Sequence, residues 1–112
     1  MANSFINKKV DLTTADLTTL YTVPSAKTSV IKSLLVSEDA GSGTTITITL
    51  VNSSGVIFNL FKDKAIGSKA TTELLTNPLV MEESEILKVQ AADANELHVI
   101  ASILEIQPRE VT

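Results

Sequence analysis

The most regular stretch of the chain is GTTITITL, residues 43–50, in which threonine alternates with isoleucine or leucine. A period of two places successive side chains on opposite faces of a strand. Ile46, Ile48 and Leu50 therefore point to a core, and Thr45, Thr47 and Thr49 point outward. The turn residues Asn52-Ser53-Ser54-Gly55 follow at once, and then Val56–Phe61 (VIFNLF), which reads as a tight hairpin. Shorter runs of the same kind recur along the chain. Lys8–Leu12, Thr18–Val23, Thr28–Ser37, Ala70–Thr76, Leu79–Met81, Glu85–Ala91 and Glu96–Ile106 are predicted as strands, with turn signals between them such as Pro24-Ser25 and Asp93-Ala94-Asn95. Residues 62–69 read as a loop, and no segment carries a convincing 3.6-residue period. About eight strands at this spacing predict an all-β antiparallel sandwich, jelly-roll or immunoglobulin-like.

Two strands break the one-sided rule for a half-exposed strand. In Val56–Phe61, Val56, Phe58 and Leu60 share a face while Ile57 and Phe61 fall on the other with Asn59. In Leu97–Ile106, Leu97, Val99, Ala101 and Ile103 share a face, and Ile100, Leu104 and Ile106 stand opposite with His98 and Ser102. A sandwich has its core between the sheets, so a second apolar face needs a loop, an arm or another molecule to cover it. Ile57, Phe61, Ile100, Leu104 and Ile106 are the interface candidates. Residues 1–10, with Phe5 and Ile6, are expected to form a docking or strand-exchanging arm, since an extended segment gains main-chain hydrogen bonds at a sheet edge. Residues 107–112 read as a polar tail.

Composition narrows the classes. The 112 residues suit a single domain that buries about 65% of its unfolded surface. There is no cysteine, hence no disulfide framework and no thiolate metal site. The net charge of −4 and nine scattered Lys and Arg argue against a grip on nucleic acid phosphates. No apolar run reaches the ~20 residues of a spanning helix, and MANSFINKKV lacks the apolar region of a secretory signal. A protein made and used without export is the plain expectation.

Residues able to do chemistry are few. His98 is the single histidine, set in a strand between Leu97 and Val99. No nucleophile elbow, zinc-protease motif or phosphate loop is present. Glu82, Glu83 and Glu85 cluster, as do Glu38 and Asp39, but without the spacing of a calcium loop or the aromatic platforms of a sugar cleft. They read as solvated turn residues, and Lys8-Lys9 as a plain charge pair. No catalytic residue, cofactor, metal or small-molecule substrate is expected. A carbohydrate- or receptor-binding module is the rival reading, lowered by an aromatic content of 4%.

The segments LTTLYTVPSAKTSVIKSLLVSE, TTITITLVNSSG and PLVMEESEILKVQAADANELHVIASILEI together resemble a pattern found in small virion structural proteins of tailed bacteriophages. The matching residues are Leu20-Tyr21-Thr22-Val23-Pro24 before Lys27-Thr28, then Ile31-Lys32-Ser33-Leu34, and Leu87-Lys88-Val89-Gln90-Ala91 with Ala101-Ser102. The likeness runs over about residues 17–106. It departs at Met81-Glu82-Glu83-Ser84-Glu85, where the pattern carries a Pro-Gly or Ala-Gly turn. The resemblance implies a non-enzymatic homo-oligomer on the particle, such as a capsid decoration protein or a tail, neck or fibre component. Its partners would be itself and other virion proteins, with assembly in the host cytoplasm.

Overall fold

In the computed structural model, which describes residues 3–106, nine strands form and no helix. They are β1 (Ser4–Leu12), β2 (Thr18–Thr22), β3 (Thr28–Glu38), β4 (Thr44–Val51), β5 (Ile57–Ile66), β6 (Thr71–Glu73), β7 (Leu79–Met81), β8 (Ile86–Ala91) and β9 (Leu97–Ile106). β-branched residues drive this, because their stiff side chains crowd a helix and pack well on a pleated surface.

The first sheet runs β1-β9-β3-β6, with β7 also on β3; the second runs β2-β8-β4-β5. Every pairing is antiparallel. β6 and β7 dock on the same edge of β3, through Val36↔Thr72 and Val30↔Val80. They are two halves of one interrupted edge strand, which leaves eight strand positions. The chain changes sheet at every connection except the β4–β5 hairpin and the β6–β7 break. That order is a jelly roll, two interlocked Greek keys. The immunoglobulin-like alternative drops out, since consecutive β1 and β2 lie in different sheets.

The inner faces meet in one cluster that includes Ile31, Leu34, Ile46, Ile48, Leu87, Val89, Val99 and Ile103, each no more than 1% exposed. Its rim holds a polar network. The Tyr21 hydroxyl donates to Glu105 Oε2 at 2.6 Å and lies 2.6 Å from Ser29 Oγ. Lys27 Nζ reaches Glu105 Oε1 at 3.3 Å. Burial, and then the Glu105 carboxylate, push the Tyr21 hydroxyl up to about 12. The Tyr21 hydrogen bond holds the Glu105 carboxyl below its ordinary value. The network ties β2, β3 and β9 together at one end of the sandwich.

Three boundaries differ from expectation. β1 begins at Ser4, four residues early, and pairs with β9 through Leu12 without interruption. Residues 4–10 are thus a sheet strand and not a free arm, while Met1, Ala2 and the tail 107–112 lie outside the described residues. β5 runs on through 62–66, where a loop was expected. Register shifts opposite Ile46–Thr49, with Asp63 at φ 50°, hide that extension from a period-two reading. The expected strand 70–76 shrinks to Thr71–Glu73.

Candidate docking face

Residues opposite one another in antiparallel strands share a face, so register and burial together assign each side chain. In β9, Leu97, Val99, Ala101, Ile103 and Glu105 are buried, and His98, Ile100, Ser102, Leu104 and Ile106 look outward. Phe5 pairs with Leu104, Leu104 with Val30, and Val30 with Val80. One apolar row therefore crosses the whole outer face of the first sheet. Its two ends are open, Phe5 being 78% and Val80 59% exposed. A second row, Lys9–Ile100–Leu35–Glu73, crosses nearer the middle.

The second sheet is different. Its outer rows are Thr19–Lys88–Thr49–Asn59 and Gln90–Thr47. Only the row Thr22–Ile86–Val51–Ile57 is apolar in part. It lies at the same end of the sandwich as Phe5–Leu104–Val30–Val80, the end joined by the Tyr21–Ser29–Glu105 bonds. The β4–β5 turn is there too. Asn52 Oδ1 accepts the N–H groups of Ser54 and Val56, and Gly55 takes φ 85°, which only glycine adopts without strain. This rigid turn presents Val56, Ile57 and Phe58, each at least half exposed.

Of the seven residues singled out by sequence, Ile57, Phe5 and Ile100 are exposed, while Leu104 and Ile106 are half-buried on the outer face. Phe61 is a correction. The β5 bulge brings it opposite Ile48, and it packs on the core. Ile6 likewise faces inward, opposite Ile103, and packs on the core. Val30, Leu35 and Val80 were missed, although TSVIKSLLVS carries apolar residues at both parities, the signal used for β5 and β9.

The remaining candidates have structural employment. The register sets Asp11, His98 and Ser37 in one row of the outer face. His98 Nε2 lies 3.2 Å from Asp11 Oδ1, and Nδ1 lies 3.7 Å from Asp39 Oδ2. Both ring nitrogens thus face carboxylates, and neither is aligned on Ser37 as a base for a nucleophile requires. Glu38 is 2% exposed, and its carboxylate accepts the N–H groups of Gly41, Ser42, Gly43 and Lys69 at 2.9–3.2 Å. The Lys69 and Gly41 N–H groups lead in holding it down to about 2. It pins the β3–β4 loop to the turn before β6. Glu73 fills the β6–β7 break, accepting from Ser33 Oγ and the N–H groups of Leu34 and Leu75. Burial pushes its carboxyl up, but those hydrogen bonds prevail and hold it below the ordinary value. Glu83 accepts from Ser25 Oγ and the Ala26 N–H, and Glu85 from the Glu82 N–H. The turn at Ser84, with φ 70°, is built by these carboxylates in place of a glycine. Among the described residues no group of three or more His, Asp and Glu is placed to hold a metal, and no helix is long and apolar enough to cross a membrane.

No family model matches the chain, and no curated protein matches it. Similar solved structures include two of a pentameric capsid protein isolated from metagenomic phage sequences. Each is 17% identical over 91% of this chain, with TM-scores of 0.49 and 0.46. A structure of infectious bursal disease virus, Gt strain, is 12% identical over 94% of the chain, with a TM-score of 0.49. The chain spans 60%, 65% and 30% of the lengths of these three. Likeness at that level fixes neither what this chain does nor what it assembles with.

Proposed function

We propose that the chain is a non-enzymatic structural protein of a tailed-phage particle, of the capsid-decoration type, that assembles as a homo-oligomer and docks on other virion proteins. The observation that carries this reading is the apolar row Phe5–Leu104–Val30–Val80 on the outside of a jelly roll whose interior is already full, with Ile100–Leu35 beyond the polar row Asn7–Ser102–Ser33. Contiguous apolar surface outside a closed core costs free energy in water until another surface covers it. A second copy is the occupant favoured for this face, with Ile106 at its border and the Val56–Phe58 tip as a further contact. The sequence resemblance over residues 17–106 points the same way. So does the net charge of −4, which disfavours nucleic acid as the partner.

Light scattering across a concentration series, paired with electron microscopy of intact particles, tests this. The wild type is expected to form a defined oligomer and to account for density on the capsid surface. The variant carrying Phe5→Asp and Ile100→Asp should dissociate to a folded monomer and lose particle binding, its apparent affinity falling at least about 100-fold. A wild type that stays monomeric and never binds particles overturns the reading, as does a variant that assembles unchanged.

A further inference from the structure

A jelly roll exposes four strand edges, and three are blunted here. β2 has five residues and a register shift between Thr19 and Tyr21. β5 carries two register shifts and a left-handed Asp63. The β6–β7 edge consists of two three-residue pieces separated by a segment containing Pro78. Short, bulged or interrupted edges are the usual protection against pairing with another strand. β1 has none of these. Its nine residues pair with β9 in nine consecutive steps, and no other strand pairs with it among the described residues.

What β1 does carry is charge. Lys8 and Lys9 stand side by side at mid-strand, on opposite faces and both exposed. Neither enters a salt bridge among the described residues, and Lys9 Nζ only reaches the neighbouring Asn7 Oδ1 at 3.0 Å. Lysines at an edge repel strands that bring like charge or bare apolar side chains. A two-fold pairing of β1 with β1 of a second copy, centred on Lys8, sets Lys8 against Lys8 and Lys9 against Asn7. Shifted by one step about Lys9, it sets Lys9 against Lys9. A strand that supplies carboxylates at these places turns the same repulsion into two favourable cross-strand pairs.

We propose that the free edge of β1 receives an extended segment of a different polypeptide, acidic opposite Lys8 and Lys9 and apolar opposite Phe5. β1 is therefore the template and not the donated arm. Main-chain hydrogen bonds along the open edge supply the affinity, and the two lysines supply the selection. This stands apart from the oligomer reading, which concerns the outer face and not the edge.

The probe is a synthetic Thr/Val strand peptide with two adjacent central glutamates, compared with the same peptide carrying two lysines. Binding is followed by amide exchange of β1 in the full chain. The glutamate peptide should bind roughly tenfold tighter, from two favourable cross-strand charge pairs. It should slow exchange at the open-edge amides of β1 and leave the β9-facing amides as they were. Lys8→Glu with Lys9→Glu should reverse the preference, Lys9→Glu alone should cancel it, and Lys9→Thr should remove about half of it. The proposal is overturned if no peptide protects the open edge or if the preference ignores the charge swap. It is also overturned if raising the protein concentration alone protects those amides, since the occupant is then a second copy.

Discussion

The two outer faces of this sandwich are made from strands of similar composition, yet they are unlike. The second sheet shows water Thr19, Lys88, Asn59, Gln90 and Thr47, with one partly apolar row at the hairpin end. The first shows Phe5, Leu104, Val30 and Val80 in one row and Ile100 with Leu35 in another. One face is finished as a solvent boundary and the other is not. The difference separates apolar residues buried in the fold from apolar residues left outside it.

The largest expected effect tests whether the outer rows really lie outside the core. Ile48→Ala, at 0% exposure, should cost about 2–5 kcal/mol in denaturant unfolding of the monomer. Ile100→Ala, at 41% exposure, should cost no more than about 1 kcal/mol. Equal costs would make the first sheet's outer face part of the monomer's own packing.

Acid gives an intermediate effect, common to both sheets because Glu38 anchors a loop between them. Its carboxyl sits lower in the folded chain than in the unfolded one, so ionisation stabilises the fold. That contribution is complete above the ordinary value of 4.5 and disappears as pH falls toward about 2. Thermal unfolding between pH 6 and pH 2 should show the loss across that window (roughly from 4.5 downward). Glu38→Gln should melt about 5–10 °C lower at neutral pH and show a flatter acid limb. A variant as pH-sensitive as the wild type would assign the acid limb to other carboxylates, Glu73 and Glu105 first.

The smallest effect lies on the polar face. Thr49 is 5% exposed despite its outward position, and its hydroxyl has no hydrogen-bond partner among the described residues. Thr47, two residues earlier, accepts the Asp63 N–H at 3.1 Å within the bulge. Thr49→Val should therefore leave stability unchanged or raise it by up to about 1 kcal/mol, while Thr47→Val should lose about 1 kcal/mol. Opposite signs in chemical denaturation would show that the two threonines, equivalent in sequence, differ in what the bulge asks of them.

Much of this was legible in the chain. GTTITITL gave its register without ambiguity, because Ile46, Ile48 and Leu50 cannot face water together. The β4–β5 hairpin was equally plain from Asn52 to Gly55. Phe61 was not, since an extra residue in β5 turns the side chains after it to the other face, until a second shift turns them back, and leaves no mark in the alternation. β1 was read four residues short because Lys8 occupies an inward parity, which breaks the apolar run from Ile6 to Val10. Its exposure at a sheet edge is what makes a lysine tolerable there. Glu38 and Glu83 looked like solvated turn residues, and Glu73 like part of a strand. They are instead acceptors for backbone N–H groups that turns and a broken strand leave unpaired, and local sequence cannot show where those donors come to lie.

By itself the sequence determined the fold class, the strand count and which parity of most strands is buried, because these follow from side-chain periodicity and turn residues within a few positions. The tertiary structure decided the rest. The order β1-β9-β3 and β2-β8-β4-β5 pairs strands up to about a hundred residues apart, and no local signal encodes such a pairing. That order lines up Phe5, Leu104, Val30 and Val80, which are scattered in sequence, into one apolar row. Among the described residues it also leaves β1 as the one long open edge. A surface assembled from distant strands exists only once the strands have chosen their neighbours.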